Sequence, residues 1–278
     1  MANEVVKYSN SLNDISFRKF TSIELDLFFS ICFLLKEKGV EEMDFTFDEI
    51  KKLIGYKFTG VDRFYKDLKS MYKKLINLTI TYERGEKGYR EFTEFVLFNR
   101  YTINEREKKI KIKINPDFYF ILNELTSNFT RFEVREFTRL RSSYAKQMFK
   151  LLAQYNSTGV FNISIDDFRN RLDTPSSYKM CDIDKKVIKP ILSELQFYFK
   201  NLKLEKIKKG KSIDRLKFTF SPRNEKTLGY KNGEEIVADN RNFDEIIREN
   251  EIRKEFENLD INEQVKMVRK QLLKSNDV

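Results

Sequence analysis

Residues 182–220 read DIDKKVIKPILSELQFYFKNLKLEKIKKGKSIDRLKFTF, and the fold turns on how that stretch is built. The spacing predicts a helix over the first half, with Asp182 as its N-cap. Val187, Ile191, Leu195 and Tyr198 recur at helical spacing and give one inward face, while Lys185, Lys189 and Ser193 fall largely on the other. Pro190 lies inside and is expected to bend the helix, because it lacks an N–H and crowds the carbonyl four residues back. The second half predicts a β-hairpin. Leu202, Leu204 and Ile207 lead to a turn at Lys209-Gly210-Lys211, and Leu216, Phe218 and Phe220 alternate on the return. A basic helix followed by a basic hairpin is the pattern of a winged helix, which lays its helix in a major groove and its hairpin along the backbone. The stretch holds eleven basic and five acidic residues. Those charges also fit a solvated helix and hairpin in a lysine-rich chain, so charge alone leaves nucleic-acid binding open.

Upstream, the same order of elements occurs twice. In the first half, Thr21 and Glu24 form a capping box ahead of a helix to about Lys38, ended by Gly39. Phe45 and Phe47 alternate as a short strand, Asp48 caps a short helix, and a third helix runs from about Gly60 to Leu75. A hairpin is expected over 78–98, turning near Gly85 and Gly88. In the second half, a long helix is expected from about Arg135 to Tyr155 and stops at Gly159. Ile163-Ser164-Ile165 then precedes an Asp166 cap and a short helix, as Phe45-Thr46-Phe47 precedes Asp48. Phe64, Tyr65, Leu68 and Tyr72 align with Val187, Ile188, Ile191 and Leu195 at one constant shift. Between the halves, Tyr101 and Ile103, a charged turn at 105–109, Ile110-Ile112-Ile114 and a helix at 117–125 predict a hinge strand with a packing element. The expected fold is α+β. It is a tandem of two related winged-helix domains, each helix–strand–helix–helix–β-hairpin, with a C-terminal tail that is helical or mobile. The expected division is 1–110, 111–222 and 223–278. The tail reads as loop to 241, then as weakly apolar helices over 242–257 and 261–274.

Composition narrows the function. The 278 residues carry a net charge of +10. Residues 223–278 hold 11 basic and 13 acidic residues, so the basicity belongs to the tandem. Histidine is absent, which removes Ser-His-Asp and Cys-His hydrolases, HExxH metalloproteases and His-based metal nickases. No GxxxxGK[ST] or GxGxxG run occurs. Cys32 and Cys181 are far apart and have no metal spacing, so the expectation is reduced thiols, no metal and no cofactor. Acidic pairs such as Asp166-Asp167 and Glu41-Glu42 are expected to be helix caps or surface charges. No signal pattern and no apolar run of membrane length is present, which predicts a soluble, cytoplasmic protein without membrane contact.

Further residues carry a family likeness. SFRKFTSIELDLFFSI at 16–31, FTFDEIKKLIGY at 45–56, LFNRYTI at 97–103 and INPDFYFILN at 114–123 resemble the RepB-type family of plasmid replication initiators. So do the long run FTRFEVREFTRLRSSYAKQMFKLLAQYNSTGVFNISIDDFRNRLD at 129–173, DIDKKVIKPILSEL at 182–195 and IKKGKSIDRLKFTF at 207–220. The resemblance covers about 12–222. It implies two winged helices that recognise repeated DNA sequences (iterons) at a plasmid origin, with no catalysis and no cofactor. It further implies binding to direct repeats as a monomer and melting of an adjacent AT-rich segment. The resemblance also implies recruitment of host replication proteins such as a helicase or initiator. It implies, too, a dimer formed mainly through the first unit that binds an operator inverted repeat and represses the protein's own promoter.

By position, the second unit's reading set is Tyr178, Lys179, Lys185, Lys189 and Ser193, with Lys206, Lys208, Lys209, Lys211 and Arg215 in its wing. The first unit's set is Arg63, Lys66, Ser70, Lys73 and Lys74, with Arg84, Lys87 and Arg90 in its wing. Wing lysines are expected on phosphate, and Lys185 and Lys189 at guanine edges. Arg139 and Arg141 suit backbone contact or surface pairing equally. A plain repressor and a winged-helix protein scaffold without DNA are the alternatives, and an enzyme would need an acid-only metal site.

Overall fold

The computed structural model describes residues 4–17, 19–36, 38–58, 60–84, 91–123, 125 and 129–222. The expected C-terminal tail, 223–278, lies outside them. The described residues fall into two compact bodies, the hairpin segment 81–93 in one and the rest, with both winged-helix units, in the other. Apart from the strand pairing of that hairpin, every contact discussed below lies within the larger.

The Thr21 box forms as its pattern predicts. Glu24 N–H donates to Thr21 Oγ1 and Thr21 N–H donates to Glu24 Oε2, which opens α1 (Ser22–Leu35). β2 (Met43–Thr46), α2 (Phe47–Ile54) and α3 (Val61–Leu75) follow. α2 is capped by Thr46, not Asp48: Thr46 Oγ1 accepts from Glu49 N–H, so Asp48 lies within the first turn. β3 (Thr79–Arg84) and β4 (Glu91–Val96) pair as a two-stranded sheet, and β5 (Phe98–Asn104) and β6 (Lys109–Ile114) as a second hairpin. β6 pairs with β2 on its other edge, giving the order β2-β6-β5. The division expected after residue 110 therefore falls inside a strand that closes the first sheet.

After α4 (Pro116–Leu122), β7 (Phe129–Glu133) pairs antiparallel with the N-terminal β1 (Val5–Ser9). The helix expected over 135–155 is two helices, α5 (Val134–Thr138) and α6 (Ser143–Gln154). The break has a local cause. Ser142 Oγ accepts from Ala145 N–H as the cap of α6, and the carboxylate of Glu194 accepts from the N–H groups of Arg141 and Ser142. β8 (Val160–Ser164) and α7 (Ile165–Arg171) repeat the β2–α2 pattern, again capped one residue before the helix, by Ser164 rather than Asp166. The reading-helix position is filled by α8 (Met180–Ile183), a π turn (Asp184–Ile188) and α9 (Lys189–Leu195) in unbroken succession. This helix starts before Asp182, whose carboxylate accepts from Lys179 N–H from within the first turn. Next to Pro190 the helix widens into the π turn. Pro190 has no N–H for the preceding turn, and the widened ladder, with Lys189 N–H bonded to Asp184 O, meets it. β9 (Lys203–Lys209) and β10 (Ser212–Thr219) complete the sheet β8-β10-β9.

The sheet orders β2-β6-β5 and β8-β10-β9 match, so β5–β6 is the topological equivalent of β9–β10. The wing of the first unit is thus β5–β6, and the β3–β4 hairpin, expected as that wing, is an insertion before it.

α1 joins the halves because it is buried all round, residues 24–32 without exception. Phe29 lies 5.0 Å from Phe28 and from Phe137, 5.5 Å from Tyr8 and 5.7 Å from Phe132, ring centre to ring centre. Buried rings of this size each stabilise by about 1.5–3 kcal/mol, so the cluster makes the seam a core rather than a hinge. A polar knot lies beside it: Asn13 Nδ2 donates to Thr130 Oγ1 at 2.7 Å and Gln154 Oε1 at 3.0 Å, and Asn13 Oδ1 accepts from Tyr8 Oη at 3.0 Å.

Candidate nucleic-acid interface

In the second unit, Ile183, Val187, Ile191 and Leu195 are buried and hold the helix on its sheet. The opposite face carries Lys179, Lys185 and Lys189, all exposed and without an ion pair among the described residues. Ser193 is exposed, but its hydroxyl donates to the Pro190 carbonyl at 3.0 Å. Tyr178 is half-buried, with the Lys186 ammonium 4.5 Å from its ring centre. Lys186, absent from the expected set, also pairs with Asp182 at 3.0 Å. Its hydrogen bond holds that carboxyl below the usual range, and in return the ammonium is raised. A one-turn spacing between Asp182 and Lys186 was the available signal.

The wing divides in two. Lys208, Lys209 and Lys211 are exposed around Gly210, whose φ of 64° makes the tight turn. Lys206 bonds Asp184 Oδ1 at 2.5 Å, and Arg215 Nε donates to Asn162 Oδ1 at 3.0 Å on β8. These two side chains brace the hairpin against the helix and sheet, so they are not free donors at the tip.

In the first unit the same sorting removes more. Ser70 Oγ donates to Glu24 Oε1 at 2.6 Å, and Lys74 Nζ bonds Glu24 Oε2 at 2.5 Å and the Lys19 carbonyl at 2.6 Å. Burial opposes ionisation of Glu24, but the bonds from Lys74, Ser70 and Thr21 prevail and hold its carboxyl below the usual range. Ser70 and Lys74 therefore face α1, contrary to their expected outward placement. Arg63 pairs with Asp67 at 3.6 Å, with its guanidinium 4.9 Å from the Phe58 ring centre. Lys66 and Lys73 remain exposed and unpaired among the described residues. Arg84 ends β3, on the inserted hairpin, while Lys87 and Arg90 lie outside the described residues. The true first wing instead presents Arg106 and Lys108 at its turn and Lys113 along β6. Those residues were legible in principle, because the alternating strand at 110–114 matches the final strand of the second unit.

Among the described residues there is no group of acidic or cysteine side chains placed to hold a metal, and no helix is long and apolar enough to cross a membrane. Cys32 is buried and Cys181 exposed, both as free thiols. The arrangement offers donors on two helices and two wings, which is chemistry for contacting a polyanion.

Known proteins share this architecture. The family model described as "Initiator Replication protein, WH1" matches residues 5–153, and "Initiator Rep protein, WH2" matches 164–220. A probable replication protein Rep of Bifidobacterium longum (strain NCC 2705) is 30% identical over 224 residues, 80% of this chain and 74% of that protein. The Pi initiator protein, solved in complex with iteron DNA, superposes with a TM-score of 0.61 at 16% identity, covering 80% of this chain and 99% of its own. Domains 2 and 3 of RctB give a TM-score of 0.45 at 10% identity, over 72% of this chain and 82% of theirs.

Proposed function

The chain belongs to the family of initiator replication proteins, and from that premise we propose that it starts plasmid replication by binding direct repeats (iterons) in duplex DNA at the origin. The observation that carries this reading is the pair of reading helices in one body, each with exposed lysines opposite a buried face: Lys66 and Lys73 on α3, Lys185 and Lys189 across the π turn. Base edges are met from the helices, and phosphates from Lys208, Lys209 and Lys211 in one wing and Arg106 and Lys108 in the other. The protein acts in the cytoplasm without cofactor or catalysis. It binds repeats as a monomer, represses its own promoter as a dimer through an inverted repeat, and recruits a host helicase or initiator.

The test is a salt titration of binding to duplex DNA carrying the direct repeats beside the protein's own gene, with scrambled DNA as control. The expected preference is on the order of 10³ or more and persists as salt rises. Lys185→Ala with Lys189→Ala is expected to weaken specific binding more than non-specific binding. Removing Lys208, Lys209 and Lys211 together is expected to lower the log–log salt slope by about 2.7, at ~0.9 per phosphate contact. Equal binding to both DNAs, collapsing with salt, would sink the reading and favour a scaffold with a non-specific basic face.

A further inference from the structure

A groove of about 920 Å³ opens between the turn preceding α3 and the link joining α5 to α6. Lys52 and Lys57 line one wall, Arg135, Arg139 and Arg141 the other, and Asp26 is the single carboxylate among the lining residues. Asp26 is already bonded to Lys146 at 2.5 Å, and Arg135 to Glu4 at 3.1 Å. Lys52, Lys57, Arg139 and Arg141 are exposed and make no ion pair among the described residues. Four cations facing one another across a groove repel unless an anion lies between them.

Both walls are tied to a reading helix. The Phe58 ring of the first wall stacks under Arg63 of α3, 4.9 Å from the guanidinium. On the second wall, the N–H groups of Arg141 and Ser142 donate to Glu194 of α9, at 2.6 and 3.1 Å. Ser22 Oγ reaches the Leu140 carbonyl at 3.5 Å, bringing the head of α1 to the same place. A polyanion running from one reading helix to the other therefore passes these four side chains. When two helices of one body occupy neighbouring major grooves, the phosphates flanking the minor groove between them face the protein.

We propose that this groove cradles the sugar–phosphate backbone of the DNA segment between the two read sites, as a contact set separate from helices and wings. The inference rests on the proposal that the chain binds duplex DNA through both units. Its ligand is the phosphodiester chain, so it adds affinity and register without sequence preference.

The experiment replaces Lys52, Lys57, Arg139 and Arg141 by Ala in the full chain and compares salt titrations on repeat and scrambled duplexes. The expected slope falls by about 2–4, at ~0.9 per lost phosphate contact, with the preference for repeats unchanged. Phosphate-ethylation interference between the two major-groove footprints is expected to disappear while guanine protection within them persists. Arg139→Lys with Arg141→Lys, which keeps the charge, is expected to retain most of the slope, and an unchanged thermal midpoint shows the fold is intact. An unchanged slope with an unchanged ethylation pattern overturns the groove. Wild-type protein that fails to prefer repeats overturns the functional reading instead, so the two failures are distinct.

Discussion

Asp26→Asn is the most informative single change at the seam. Lys146 is fully buried, its Nζ 2.5 Å from Asp26 Oδ1 and 2.7 Å from the Phe137 carbonyl. Burial raises the Asp26 carboxyl to about 7 and lowers the Lys146 ammonium, while their mutual attraction opposes both shifts. With the carboxylate gone, the ammonium keeps one carbonyl and the Phe137 ring, 4.8 Å away, or it sheds its proton. Shedding costs about 1.36 kcal/mol for each pH unit below the free value near 10.4, hence ~4 kcal/mol around pH 7.5, and that caps the loss. Breaking one side of a buried pair costs about 3–5 kcal/mol, so the expected destabilisation is ~3–4 kcal/mol. The pH dependence has a definite sign. The variant's folded state binds fewer protons than its unfolded state, so its stability rises with pH. Asp26 keeps the proton on Lys146 to higher pH in the wild type, so the deficit shrinks towards ~2 kcal/mol near pH 9. Urea unfolding at the two pH values reads both quantities. A loss below ~1 kcal/mol near neutral pH, or one that grows with pH, would refute the reasoning. The double change Asp26→Leu with Lys146→Met is expected to recover stability to within about 1 kcal/mol of wild type.

Three further outcomes follow from packing and from the burial of a charge. Gly159 has a φ of +67°, and a Cβ there would lie 2.3 Å from the Phe220 carbonyl, so Gly159→Ala is expected to cost ~3 kcal/mol or more in urea unfolding. Gly210→Ala, with a similar φ but open space, is expected to cost only about 1 kcal/mol, and equal losses at the two sites would contradict the clash. Lys150 is buried with its ammonium 4.3 Å from the Phe17 ring centre, and burial, the largest cause, depresses it to about 7. Between that value and the unfolded one near 10.4 the native state holds fewer protons, so wild-type stability rises with pH. Lys150→Met is expected to stabilise by about 1–3 kcal/mol near neutral pH and to flatten that rise. A destabilised variant would mean that the cation–ring attraction prevails.

The repeated winged helix was legible because its signals are local: the Thr21 box, the alternating strands and the apolar spacing of both reading helices all lie within a few turns of chain. Long-range choices were not. Which hairpin forms the first wing depends on β2 pairing with β6 across an intervening hairpin, and local alternation marks both hairpins equally well. The break between α5 and α6 depends on Glu194, some fifty residues on, reaching back to two N–H groups. Ser70 and Lys74 lie on the polar side of a helical wheel. Yet they turn to Glu24, because a buried carboxylate at the head of α1 must find donors. Helical spacing locates a face but does not say which polar residues at its margin answer a neighbour's buried charge.

That sorting makes the two units unlike where likeness would be a drawback. The first reading helix gives Ser70 and Lys74 to the interior and keeps Lys66 and Lys73 outside. The second is wound through a π turn against Pro190 and keeps Lys179, Lys185 and Lys189 outside. Two equivalent readers related by a twofold axis suit a palindrome, which looks the same from either end. A direct repeat has a direction, and a chain with two different readers locked together by the Phe29 cluster meets it in one orientation only. The asymmetry between α3 and the π-wound helix, set by Glu24 on one side and Pro190 on the other, is therefore what lets a single chain bind each repeat the same way round, on the function proposed for it.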